Sequence, residues 1–131
     1  MEPATSHPQG REASGQTRLT ELAVAKVAAA AAAKVPEVFA LGRGATRAFD
    51  ALRGAVGTGA ESHHGVNVEI GATHVVIDLV IVARYGRNLH EIADDVRAAV
   101  YETVHELTGL TVVEVNIEIG DVHLGAAEAT S

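Results

Sequence analysis

Residues 65–122 read GVNVEIGATHVVIDLVIVARYGRNLHEIADDVRAAVYETVHELTGLTVVEVNIEIGDV, and this stretch decides the fold. Apolar and polar residues alternate at 66–70, and a nearly all-apolar run follows at 75–85, which is typical of two strands with the second central in its sheet. The connection between them is short, so the strands should pair antiparallel. Residues 89–108 have helical spacing, and residues 111–119 alternate again. The stretch predicts a ββαβ unit.

The predicted helix at 89–108 has a start signal and a stop signal. Asn88 is suited to the N-cap, and Gly109 stands where a glycine commonly ends a helix. A strand, a helix and a second strand joined by short loops form a right-handed crossover. The strand at 111–119 should therefore run parallel to the strand at 75–85.

The chain before this unit adds a second helix. Residues 19–35 are rich in Ala, Leu and Lys, which favour helix, and Pro36 ends the pattern. Pro, Gly, Ser and Gln at the N-terminus predict disorder instead. The predicted organisation is a disordered arm at 1–16, a single domain at 17–123 that includes a flexible connector at 36–64, and a tail at 124–131.

The predicted fold class is α+β, in the order α-β-β-α-β. It is a small three-stranded mixed sheet with two helices packed on one face. Because two helices cover only one face, the other would present Val76, Val80 and Val82 of the central strand. These valines form a possible interaction face. The alternative is that the connector at 38–56 folds over them. Phe39 and Phe49 are predicted to pin this connector to the core.

Composition excludes several classes of function. The chain has 131 residues, a formal net charge of -7, 3 % aromatic residues and no cysteine. An acidic chain with few aromatic rings is poorly suited to nucleic acids, and thiolate chemistry is excluded. The glycine-rich phosphate loops and the G-x-S-x-G motif are absent. We therefore expect no enzyme and no cofactor, and we assign no catalytic, cofactor-binding or metal residue. Without a signal peptide or membrane-spanning run, the expected location is the cytoplasm.

Histidine and one aspartate need separate consideration. Topology brings His63, His64, His90 and His123 toward one edge of the sheet, where they could hold a divalent metal, although surface histidines are the alternative. Asp78 lies inside the central strand. We interpret it as a structural carboxylate that pairs with Arg84 or faces solvent or a subunit.

A family resemblance lies in several segments taken together. They are GVNVEI from Gly65, VVIDLVIVARYG from Val75, NLHEIADDVRAAV from Asn88 and LTGLTVVEVNIEIGDV from Leu107. In this order the segments resemble the alkaline-shock-protein family of bacterial envelope-stress proteins. The sequence KVPEV at 34–38 is similar to the turn after that family's first helix, with Glu37 in place of the usual glycine.

This resemblance implies a non-enzymatic protein of stress response and cell-envelope homeostasis. The expected role is a self-associating scaffold or adaptor, forming a homo-oligomer and recruited by a membrane-anchored partner of the same family. Neither direct membrane insertion nor nucleic-acid binding is expected. The alternative from another class is a KH-like nucleic-acid-binding module. Such a module needs a G-x-x-G loop, and the glycine turns at 42–44 and 86–87 lack that spacing.

Overall fold

The computed structural model describes residues 13–42, 62–63 and 65–125. Two helices and five strands follow one another along this part of the chain. They are α1 Glu21–Ala33, β1 Val38–Leu41, β2 Ser62–His63, β3 Val66–Ile70, β4 His74–Arg84, α2 Leu89–Thr108 and β5 Thr111–His123.

The α+β class is confirmed, whereas the prediction of three strands is wrong. The described chain forms a five-stranded mixed sheet. The two additional strands, β1 and β2, lie within the segment at 36–64 that was predicted to be a connector. Each of these two strands is too short to show a periodicity of its own. Residues 43–61 of the predicted connector lie outside the described residues, as do most of the predicted N-terminal arm and most of the predicted tail.

Strand β4 is the centre of the sheet. Strand β5 runs parallel to it along its whole length, as the crossover rule predicts. The opposite edge of β4 is shared by two antiparallel strands, with β3 beside the first half and β1 beside the second. They meet at Val80, whose N–H donates to the carbonyl of Gly65 at 2.8 Å and whose carbonyl accepts from the N–H of Gly42 at 2.7 Å. Strand β4 thus holds β5 on one of its edges and both β3 and β1 on the other.

Helix α1 is thin because alanine covers its inner face. The hydroxyl of Thr20 caps it by accepting from the N–H of Ala23 at 3.1 Å. The carboxylate of Glu21 accepts from the N–H of Ile70 at 3.2 Å, which fixes the start of the helix to the end of β3. Small side chains let the helix approach the sheet and α2 closely. The buried residues are Val24, Ala25, Ala28, Ala29, Ala31 and Ala32.

Helix α2 has the predicted caps. Asn88 accepts from the N–H of Glu91 at 3.0 Å, and Gly109 ends the helix in the left-handed conformation with φ of 74°. One stripe is fully buried against the sheet and α1. It consists of Ile92, Val96, Val100 and Val104.

Both helices pack on one face of the sheet, as predicted. The core lies there, and Val75, Ile77, Leu79 and Ile81 of β4 are almost completely buried in it. An irregularity in the β4–β5 pairing after Val112 shifts the alternation of β5 at its start. Val112 is therefore buried and Val113 is exposed, whereas an unbroken alternation from the buried Val115 would place Val113 in the core.

Within the described residues, neither helix has the length and apolarity that crossing a bilayer requires.

Candidate interaction surface

The face of the sheet opposite the helices is left open by the described residues. The odd-numbered residues of β4 from 75 to 83 face the core, so Val76, Asp78, Val80 and Val82 face the other way. Val76, Asp78 and Val80 are half-buried, and Val82 is only 3 % exposed. The structure thus brings the three valines of the predicted interaction face into one row. Solvent reaches this row mainly at Val76 and Val80.

Carboxylates surround the valine row. Residues that pair across neighbouring strands share a face, so the register of β3 and β5 shows which side chains flank β4. Asn67 of β3 and Asn116 of β5 add amides at the level of Asp78. The carboxylates on this face are Glu69, Asp78, Glu114, Glu118 and Asp121. The surface is therefore an apolar stripe inside an acidic rim.

Asp78 does not pair with Arg84, and it lies half-buried on the open face, which is the other predicted alternative. It accepts a hydrogen bond from the side-chain amide of Asn116 at 2.9 Å. Arg84 instead donates from Nε to the carbonyl of Pro36 at 3.1 Å. Val80 and Val82 lie between Asp78 and Arg84 on this face, so the two charged side chains do not meet. The Asp78 carboxylate instead accepts from its neighbour on the parallel strand. No catalytic arrangement is formed by this contact.

An aromatic and cationic cluster closes one end of the open face. The rings of Phe39 and His123 stack with centroids 3.8 Å apart and planes 8° apart. The guanidinium carbon of Arg84 lies 5.0 Å from the Phe39 centroid. Phe39 remains 44 % exposed, so the prediction that it is pinned to the core is wrong. An irregularity in the pairing of β1 with β4 falls at this residue and turns its ring toward the open face. Phe49 lies outside the described residues.

The histidines do not form a metal centre in the described part of the chain. His123 stacks on Phe39, and His90 is exposed at the start of α2. The placement of His64 and of the His63 side chain lies outside what is described. Among the described residues, no three histidine or carboxylate side chains are grouped closely enough to hold a metal. Metal analysis of the purified protein would test whether the four histidines together bind a metal.

Arg87 organises the turn between β4 and α2, and sequence reasoning did not identify it. Its guanidinium lies 2.9 Å from Asp95, 3.4 Å from Glu37 and 3.5 Å from Glu91. The hydrogen bond to Asp95 is the largest cause that raises the pKa of Arg87 above its ordinary value, despite opposing desolvation. Arg87 precedes α2 by two residues and Glu91 lies in its first turn, and this four-residue spacing was a local signal for part of the network. The contact with Glu37 depends on tertiary structure.

Comparison with known proteins identifies the family. Residues 9–124 match the model of the alkaline-shock-protein family, which is described as having a "cell envelope-related function". Curated relatives from Streptococcus pyogenes serotypes M3 and M1 are named stress response regulator gls24 homologs, and each is 43 % identical to this chain over 58 residues. That segment covers 44 % of this chain and 32 % of each relative, so the chain matches about a third of their length. No solved structure matches the chain. Because the family model covers most of the sequence, the chain belongs to this alkaline-shock-protein family, whose function is related to the cell envelope.

Proposed function

We propose that this protein is a non-enzymatic scaffold or adaptor of the envelope-stress response, which works by binding other proteins through its open sheet face. The observation that carries this proposal is the row of Val76 and Val80 on a face that no described segment covers. Full burial of an exposed valine is worth about 1.5 kcal/mol, and each of these half-buried valines can supply part of that on association. The family and the names of its streptococcal relatives support the setting in stress response.

The proposal includes self-association and recruitment to the membrane by a protein partner. The acidic rim gives each mode of binding a different salt dependence. Two copies docking face to face repel one another through their rims, so salt should strengthen that contact. A basic partner is attracted, so salt should weaken it.

The same rim argues against the KH-like alternative. Five carboxylates on the open face repel phosphate groups, and binding of nucleic acid depends strongly on the opposite charge. The observations on this face therefore favour a protein partner.

Val80→Asp tests the use of the open face. The variant loses the burial of one valine and must also desolvate a carboxylate on association, so we expect assembly to weaken by at least about tenfold. Light scattering coupled to size exclusion over a wide concentration range measures the effect. Far-UV circular dichroism checks that the monomer stays folded, as expected for a half-buried site on the exposed side.

Asn67→Asp is the matched control. It adds the same charge on the same face and removes no apolar surface, since Asn67 is already exposed. A smaller effect of Asn67→Asp than of Val80→Asp would assign the contact to the valine row. Unchanged assembly of Val80→Asp, or global unfolding, would count against this surface. A wild-type chain that stays monomeric at every concentration would refute self-association and leave the adaptor role to be tested with the partner.

A further inference from the structure

The outer edge of β5 has no strand beside it in the part of the chain that the structure describes. Strand β5 is 13 residues long and pairs only with β4 there. The carbonyl of Val115 points away from β4, because it accepts from Nε of Arg97 on α2 at 3.0 Å. Backbone groups alternate along a strand, so the N–H and C=O groups of Ile117 and Ile119 point outward as well. Arg97 already occupies the carbonyl of Val115, so this edge can hydrogen-bond to another extended chain at Ile117 and Ile119.

A groove runs between this edge and α2. Its volume is about 470 Å³, and its lining combines the apolar side chains of Ala98, Tyr101, Val113 and Val115 with the ion pair of Asp94 and Arg97. Tyr101 is 47 % exposed and Val113 is 54 % exposed, so apolar surface is available on both sides. A strand added beside β5 would direct every second side chain toward this groove. Those positions favour branched apolar residues.

The remaining side chains of an added strand would lie on the open-face side, where β5 is acidic. Glu114, Glu118 and Asp121 lie along that side, and β5 contains no Lys or Arg. Opposite charges across neighbouring strands are favourable, and like charges directly opposite are unfavourable. Two copies of β5 paired with one another would bring Glu114 and Asp121 of both copies onto the same side of the sheet. The charge of this edge therefore favours a basic partner over a second copy of the chain.

We propose that the outer edge of β5 and the groove beside α2 form a strand-addition site for an extended segment of a partner protein in which Lys or Arg alternates with branched apolar residues. The apolar side chains enter the groove and the basic ones lie against Glu114 and its neighbours. Main-chain hydrogen bonds supply affinity, and the alternation supplies specificity. This site goes beyond the open-face proposal and does not depend on it.

A synthetic peptide of about eight residues that alternates lysine and valine tests the proposal, since strands of this length are common. Fluorescence anisotropy of the labelled peptide is measured while the full chain is titrated in. The control peptide has the same composition in two blocks, lysines then valines. We expect the alternating peptide to bind at least about tenfold more tightly, because only alternation places each residue type on its own side. Equal affinities, or no binding of either, would overturn the proposal.

Two further peptides test the backbone contact without altering the protein. One carries N-methyl groups on the valines and the other on the lysines, so each removes one alternating set of N–H donors. In antiparallel addition the valine N–H groups face β5, and in parallel addition the lysine N–H groups do. Loss of binding with one peptide and retention with the other supports strand addition and gives its direction. Equal behaviour of the two peptides would refute it.

A matched pair of variants locates the site. Glu69 and Glu114 both flank Val76, one on β3 and the other on β5. Glu114→Lys should weaken binding of the alternating peptide several-fold, because Glu114 lies on the strand at which the peptide docks. Glu69→Lys should weaken it much less, because Glu69 lies on the far side of β4 and charge interactions are screened beyond about one Debye length. Equal effects would place the peptide on the open face or show binding by net charge alone. A wild-type dimer that the peptide dissociates would show a second copy at this edge and overturn the choice of a basic partner.

Discussion

Replacing Gly65 with alanine should destabilise the protein far more than its place in a turn indicates. Gly65 has φ of 85°, and a Cβ placed on it would lie 2.6 Å from the nitrogen and 2.7 Å from the Cα of Gly42. It would also lie 3.0 Å from the carbonyl oxygen of Val80. These atoms are all backbone, so no side chain can rotate away. The clash falls where β3 and β1 meet on one edge of β4.

The magnitude follows from two contributions. An L-residue at positive φ costs about 1–2 kcal/mol. Separating Gly65 from Gly42 weakens the two hydrogen bonds that they make with Val80, at about 0.5–1.5 kcal/mol each. The expected loss is about 2–5 kcal/mol, a large part of the 5–15 kcal/mol by which typical domains are stable.

Gly109→Ala is the matched control. Gly109 also has positive φ, of 74°, but a Cβ there meets no atom within 4 Å. Its replacement should cost only the conformational term, about 1–2 kcal/mol. Urea unfolding followed by far-UV circular dichroism measures both, because the chain has no tryptophan for fluorescence. Equal free energies of unfolding in the two variants would refute the argument that backbone contact at the strand junction limits residue 65 to glycine.

Two other predictions concern packing and charge. Ala28→Leu should destabilise the fold by about 1–3 kcal/mol, because Ala28 is fully buried on the inner face of α1. Ala30 lies on the exposed side of the same helix, so Ala30→Leu should change stability by less than about 0.5 kcal/mol. Similar losses of the two variants in thermal unfolding would contradict the close packing of this helix. Arg87→Gln should lower the melting temperature in dilute buffer, and the difference from wild type should shrink in about 1 M salt, which screens the contacts with Glu37 and Asp95. Because the pKa of Arg87 is raised, the stability that its positive charge contributes is present below that pKa and is lost only above it. The difference in melting temperature between the variant and wild type should therefore not change between about pH 6 and 10. A difference in melting temperature that is insensitive to salt would argue against the ion pairs.

The candidate surface was predictable in part. Alternation along β4 places Val76, Val80 and Val82 on one face, and the two helices leave that face open, which is how the structure arranges them. The near-complete burial of Val82 and the stacking of Phe39 on His123 were not predictable. The stacking depends on β1, which joins β4 from about forty residues earlier in the chain. The groove beside β5 was missed for a similar reason, because the shift in register at its start exposes Val113.

The sequence by itself determined the elements whose signals are local. Apolar residues recur with a regular period in β3, β5 and α2. Strand β4 is a continuous apolar run, and α1 is rich in helix-forming residues. Asn88 and Gly109 cap α2 through contacts within a few residues. The handedness of the crossover then sets β5 parallel to β4. Tertiary structure alone decided the rest. Strands β1 and β2 are too short to show a period, and β1 is fixed by hydrogen bonds to β4, a partner distant in sequence. Such pairing, like the contact of Arg87 with Glu37, exists only once the core has brought distant segments together.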